Sequence, residues 1–218
     1  TETFQHTIIE PTGMELVLDN ETSFTELLCF ENQDGVLNTN VTGGTPNENG
    51  EYNYTWTTID GIIPDGQENN QNLTELVAGE YTLTVSDESG CDVTDTYVIQ
   101  EPSELIITQD PENESTDILD CYQDQDGVIN IDIEGGVLEY TYSWTTTNGA
   151  IPDGQENNQN LTGLVAGTYN VTVTDANSCT ETFQHTIIEP TGMELVLDNE
   201  TSFTELLCFE NQDGVLNT

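Results

Sequence analysis

Leu76-Val77-Ala78-Gly79-Glu80-Tyr81-Thr82-Leu83-Thr84-Val85 and Leu164-Val165-Ala166-Gly167-Thr168-Tyr169-Asn170-Val171-Thr172-Val173 are two versions of one segment. In each, a glycine closes an apolar turn and a tyrosine opens a run of alternating apolar and polar side chains. A period of two is the pattern of a strand with one buried face. A tyrosine just past a turn glycine at a strand start can send its hydroxyl back across the corner, as in the tyrosine corner of sandwich domains. Tyr81 and Tyr169 are therefore read as core residues.

Outward from this segment the chain keeps repeating. Residues 63–74 recur unchanged as 151–162, Trp56 matches Trp144, Cys91 matches Cys179, and Glu101-Pro102 matches Glu189-Pro190. Upstream, Cys29, Asp34-Gly35 and Gly43-Gly44 match Cys121, Asp126-Gly127 and Gly135-Gly136. The offset changes from 92 to 88 between Gly44 and Trp56, which places a four-residue insertion in the loop 45–50. An insertion confined to one loop is what a shared scaffold tolerates.

Alternating runs at Glu15–Asp19, Val36–Thr42, Tyr52–Thr58, Tyr81–Ser86 and Cys91–Ile99 read as strands, as do their partners from Glu104 to Ile188. Trp56 and Trp144 fall on the third main strand, where sandwiches often keep a core tryptophan. No segment shows helical periodicity. Each unit reads as about seven short strands, the signature of an immunoglobulin-like β-sandwich. The fold class expected is all-β: tandem sandwiches stacked as an elongated rod, with about 40 Å added per unit for strands near ten residues long.

A longer period encloses both units. Residues 1–39 return without substitution as 180–218, an offset of 179. The polypeptide therefore reads as a window on a longer tandem array. The expected parts are 1–11 as the last strand of a preceding repeat, 12–102 and 103–190 as two complete repeats, and 191–218 as the first strands of a third. The junctions are short and contain Pro11, Pro102 and Pro190. Proline fixes φ and removes a donor, so each last strand should stop there and lead into a stiff linker.

The chain has no lysine and no arginine against 42 Asp plus Glu, a formal net charge of −42. Nucleic-acid binding needs cations to displace counterions from phosphate, so it is excluded, and attachment to an anionic membrane surface fails for the same reason. Schiff-base lysines and arginine clamps are chemically impossible. No apolar run reaches the length of a membrane span. The carboxylates repel one another, and dissolved cations must offset them. One reading is a solvated acidic surface suited to salty water. The other is convergence of some carboxylates on Ca²⁺, a hard cation that takes oxygen ligands.

The candidate Ca²⁺ ligands lie in two pairs of loops. Asp34 in the first repeat, and Asp124 and Asp126 in the second, sit in acidic turns ending in glycine, which echo a calcium loop but lack the downstream bidentate glutamate. As a β-turn leading into Val36 or Val128 the same residues need no metal. Asp65 and Glu68, repeated as Asp153 and Glu156, lie in loops rich in oxygen ligands for Ca²⁺ or glycan hydroxyls. As polar loops these segments satisfy their own backbone through asparagine side chains. No cofactor is required. Histidine occurs only at His6 and His185, which are one repeat position, and no nucleophilic or metal-binding cluster accompanies them; the chain is not expected to be an enzyme.

Five cysteines resolve once the register is applied. Each full repeat holds one near its start and one before its last strand. The expected disulfides are Cys29–Cys91 and Cys121–Cys179, with Cys208 pairing beyond residue 218; reduced, buried thiols are the competing reading. Disulfides imply an oxidising, extracellular setting.

The order Leu28-Cys29-Phe30, Asp34-Gly35, Gly43-Gly44, Tyr52-x-Tyr54-x-Trp56, Gly79-x-Tyr81, Val85-x-Asp87, Cys91 and Glu101-Pro102, repeated from Cys121 to Pro190, resembles the SprB repeat. That family forms modules of giant surface adhesins in gliding bacteria of the Bacteroidota. The resemblance implies export by the type IX secretion system, display at the cell surface, and a role in adhesion or gliding.

The function expected is thus a structural or adhesive segment of a long, secreted, cell-surface fibre. Its partners would be further copies of the repeat, by self-association or continuation of the array, and surface polysaccharide; neither nucleic acid nor membrane insertion is expected. Two alternatives stay open: passive stalk repeats of a larger secreted enzyme, and a Ca²⁺-dependent carbohydrate-binding protein.

Overall fold

A computed structural model describes residues 12–194, and all of the regular structure there is β. The first repeat contributes β1 (Glu15–Leu18), β2 (Gly35–Leu37), β3 (Thr39–Thr42), β4 (Asn53–Thr58), β5 (Leu73–Leu76), β6 (Gly79–Ser86) and β7 (Asp92–Ile99). The second contributes β8 (Ile106–Gln109), β9 (Gly127–Ile129), β10 (Ile131–Glu134), β11 (Thr141–Thr147), β12 (Leu161–Leu164), β13 (Gly167–Thr174) and β14 (Thr180–Ile187).

The strand order is that of an immunoglobulin-like sandwich. One sheet runs β4-β6-β7; opposite it, β1 pairs with β3 and β2 with β5, all antiparallel. β2 and β3 are one run broken only at Asn38. The second repeat repeats the order as β11-β13-β14, β10-β8 and β12-β9.

Alternation drives the packing. Along β6, Tyr81, Leu83 and Val85 are buried while the residues between them are half-exposed. On the outward face, the hydroxyls of Thr82 and Thr84 meet those of Thr96 and Thr94 across the strand pair, at 3.0 Å each, the kind of cross-strand pair that stabilises sheets. Leu37, Leu73 and Leu76 close the core from the other sheet onto Trp56, Tyr97 and Ile99. Fully burying an aliphatic side chain contributes about 1.5–3 kcal/mol. Among the described residues the one contact between a basic side chain and a carboxylate is His185 to Asp117 at 3.5 Å, an ion pair only when the histidine is protonated. Apolar packing, not charge pairing, therefore holds these sandwiches together.

Tyr81 Oη donates to the Val77 carbonyl at 2.9 Å and accepts from Ile62 N–H at 3.2 Å. Tyr169 makes the same corner with Val165 and Ala150, at 2.7 and 3.4 Å. The indole N–H groups of Trp56 and Trp144 donate to the carbonyls of Asn70 and Asn158.

By compactness the described chain divides into two units that do not follow the boundary at 102/103. One comprises 12–108, Ile131–Ser143 and Val171–Phe183; the other comprises Gln109–Asn130, Trp144–Asn170 and 184–194. In the second unit, Ile118 and Ile188 form a parallel bridge. There His185 Nε2–H donates to the Thr116 carbonyl at 2.8 Å. Residues 1–11 and 195–218, with His6, Cys208 and most of the expected end segments, lie outside the described residues.

Candidate functional site: the cysteine loops

Two kinds of loop carry the cysteines. The first kind follows the crossing of the early chain over the end of the last strand. Leu27, which is buried, donates its N–H to the Gln100 carbonyl at 2.8 Å. The chain then turns through Cys29, and Glu31 adopts φ 55°, a left-handed conformation that costs a non-glycine residue about 1–2 kcal/mol. Glu101 repays part of that cost: its Oε2 accepts from Glu31 N–H at 2.7 Å. The Cys121 loop is the same construction. Leu119 N–H donates to Ile188, Gln123 has φ 59°, and Glu189 Oε2 accepts from Gln123 N–H at 2.9 Å.

The second kind is a tight turn before the last strand. Asp87 Oδ1 accepts from Cys91 N–H at 2.8 Å, its own N–H donates to the Cys91 carbonyl, and Oδ2 accepts from Thr45 N–H at 2.9 Å. The hydrogen bonds from Cys91 and Thr45 hold the Asp87 carboxyl below its ordinary range. Asp175 makes the same contacts with Cys179 and Val137, each at 2.9 Å. The residue before each cysteine is left-handed: Gly90 at φ 80° and Ser178 at φ 70°.

In the first repeat these two kinds of loop lie at opposite ends. β7 starts at Asp92, beside Cys91, and ends at Ile99, next to Gln100 and the Cys29 loop. Eight residues of strand span about 26 Å, whereas a disulfide needs Cα atoms within about 7 Å. The expected Cys29–Cys91 bond is therefore overturned, and Cys121–Cys179 is overturned because Cys179 is bonded elsewhere and Cys121 is free. The structure instead joins Cys29 to Cys179, with Cα atoms 5.7 Å apart and a sequence separation of 150. Cys91 and Cys121 are free and exposed.

Both bonded cysteines fall in the first compact unit. Beside the bond, Asn177 Nδ2 donates to the Leu28 carbonyl at 2.9 Å. Phe30, Pro102, Leu105 and Gly136 line a shallow cleft of about 400 Å³ around it. The bond ties the first cysteine of one repeat to the second cysteine of the next.

The candidate metal ligands are placed otherwise. Asp34 Oδ2 accepts from Leu28 N–H at 3.3 Å, and Asp124 Oδ1 from Gln125 N–H at 2.9 Å, so both act within their turns. Asp65, Glu68, Asp126, Asp153 and Glu156 have exposed side chains. In the two long loops the backbone serves the sheet: the Glu68 and Glu156 carbonyls accept from Trp56 and Trp144 N–H at 2.9 Å. Among the described residues, no three His, Cys, Asp or Glu side chains form a group that could hold a metal ion. No helix there is long and apolar enough to cross a membrane.

The family model of the SprB repeat matches residues 113–149. Solved structures with a similar course include the C-terminal 282-residue fragment of intimin in complex with the translocated intimin receptor's intimin-binding domain, at 15% identity and a TM-score of 0.39, covering 81% of this chain and 63% of that one. The N-terminal eight immunoglobulin domains of Down syndrome cell adhesion molecule match at 15% identity and a TM-score of 0.42, over 82% of this chain and 25% of that one. The insect immune protein hemolin matches at 14% identity and a TM-score of 0.38, over 81% of this chain and 47% of that one. The chain thus spans less than two thirds of each. No curated protein sequence matches it.

Proposed function

We propose that this chain, with the SprB repeat at residues 113–149, is a load-bearing segment of a secreted cell-surface fibre that serves adhesion or gliding. The Cys29–Cys179 bond carries the reading. A domain that acts alone gains little from a covalent tie to its neighbour, whereas a filament under tension gains resistance at its junction. The bond also fits an oxidising, extracellular setting.

Composition supports the same reading. A surface with no lysine or arginine and a net charge of −42 repels its own kind along its length. It keeps an extended array apart from other anionic surfaces. Dissolved cations, Ca²⁺ among them, balance this charge as an atmosphere around exposed carboxylates. The repeats stack end to end as a rod, and surface polysaccharide and further copies of the repeat are the partners.

Particle images of the native material test the proposal. Long uniform filaments with a spacing of two repeats are expected. Flexible, isolated chains overturn it.

A further inference from the structure

Cys91 and Cys121 are exposed thiols, yet each stands in a loop that elsewhere in the chain carries the disulfide. Cys121 occupies the backbone of Cys29. The residue two positions on is left-handed in both, with φ 59° and 55°, and a glutamate from the end of the last strand accepts its N–H at 2.9 and 2.7 Å. Cys91 occupies the backbone of Cys179. Both donate their N–H to an aspartate Oδ1, at 2.8 and 2.9 Å, and both follow a left-handed residue. One free cysteine is thus of the first kind and the other of the second. Their counterparts within their own repeats, Cys29 and Cys179, are already bonded to each other.

We infer that Cys91 and Cys121 are half-sites for further cross-repeat disulfides: Cys121 takes the second-kind cysteine of a following repeat, and Cys91 the first-kind cysteine of a preceding one. The occupant in each case is another copy of this chain's own repeat, so the inference builds on the fibre reading.

The sequence supplies the spacing. Residues 180–218 restart the chain from Thr1 at a step of 179. One such step beyond Cys91 lies 149 residues past Cys121, against the 150 that separate Cys29 from Cys179. Both junctions therefore ask the same reach of the chain. Every repeat would be bonded to both neighbours, and no junction would depend on packing alone.

The bonds form by exchange with a small-molecule disulfide such as oxidised glutathione. The thiolate of one cysteine attacks it, giving a mixed disulfide and releasing one thiol. The partner's thiolate then displaces the second thiol and closes the protein disulfide. The two cysteines lose two electrons and two protons, and the small disulfide leaves as two thiols.

The four described cysteines fall in different peptides when the chain is cut after glutamate, except before proline: 27–31, which shares its sequence with 206–210, 89–104, 115–134 and 157–181. Native protein should be alkylated without reduction, digested and read by mass spectrometry. We expect 115–134 linked to 89–104, 27–31 linked to 157–181, and no alkylated cysteine in any of the four. In Cys91→Ser the first link disappears and the second stays. The 218-residue chain, oxidised with glutathione disulfide, should form reductant-sensitive multimers on non-reducing electrophoresis. Alkylation of Cys91 and Cys121, any link within a repeat, or a wholly monomeric oxidised chain overturns the inference. Filaments whose Cys91 and Cys121 are alkylated would sink it while leaving the fibre reading intact. Linked cysteines without filaments would do the reverse.

Discussion

The Cys29 and Cys121 loops have the same backbone turns and the same glutamate brace, yet one is bonded and the other is free. Local sequence therefore determines the loop, and the neighbouring repeat determines the bond. Mutation should separate the two. On the chain-entropy account, closing a loop of 150 residues contributes up to about 5 kcal/mol. Cys29→Ser or Cys179→Ser should cost the oxidised chain an amount of that order in denaturant unfolding. Cys91→Ser and Cys121→Ser in the isolated monomer should cost less than about 0.5 kcal/mol, as exposed substitutions do. Equal losses at all four positions would break the comparison.

The same contrast shows what the sequence discloses. Alternation located β4, β6 and β7, and the Gly-x-Tyr segment located the corner, because each depends on residues close in the chain. β5 was not anticipated: only Leu73 and Leu76 face inward, and a left-handed residue breaks the period between them. The cysteine pairing was misread for another reason. Register identifies which cysteines are equivalent, but not the end of the sandwich at which each stands. That depends on Leu27 crossing to Gln100, a contact 73 residues apart. With both ends of the first repeat known, the Cys29–Cys91 pairing is geometrically closed. The loops around Asp65 and Asp153 looked like ligand sites because they are rich in oxygen. Their backbone carbonyls and glutamine side chains brace the neighbouring strands.

Two left-handed glycines sharpen the distinction between crowded and open turns. Gly43 has φ 75°, and a Cβ there would strike the Gly13 carbonyl; Gly66 has φ 83° and open space around it. Gly66→Ala should cost about 1 kcal/mol, for the backbone alone. Gly43→Ala adds a clash with main chain that cannot move freely, so its cost should be about 3 kcal/mol. Thermal unfolding of the two variants checks the order, and a Gly43→Ala protein as stable as Gly66→Ala would contradict the packing.

Among the core positions at which the repeats differ is one where the first has Tyr97 and the second His185. Tyr97 is buried, its ring 6.0 Å from that of Trp56. Burial first, and then the charge of Asp95, push its phenol up to about 12. An unfolded tyrosine ionises near 10, so above that pH the unfolded chain loses a proton that the folded chain keeps. Stability should then fall as pH rises from about 10 to 12, by up to about 3 kcal/mol. The difference between wild type and Tyr97→Phe isolates this slope. Identical alkaline curves would mean that the phenol is not held neutral by the fold.

The smallest expected effect lies at the bulge in β5 and β12. Glu75 and Gly163 are equivalent and both left-handed, at φ 58° and 70°. A Cβ at Gly163 would meet nothing nearer than 3.8 Å, so any difference between the residues is a backbone matter. Glu75 bears a left-handed cost of about 1–2 kcal/mol, while glycine gives back about 0.4–1 kcal/mol through its freer unfolded chain. Gly163→Glu should therefore destabilise by about 1 kcal/mol or less, and Glu75→Gly should stabilise by a similar amount. The paired design matters because the two changes interconvert the same site in two copies of one scaffold. Opposite signs of similar size would place the cost in the bulge itself. Equal signs would mean that the surroundings of β5 and β12 differ more than their shared backbone.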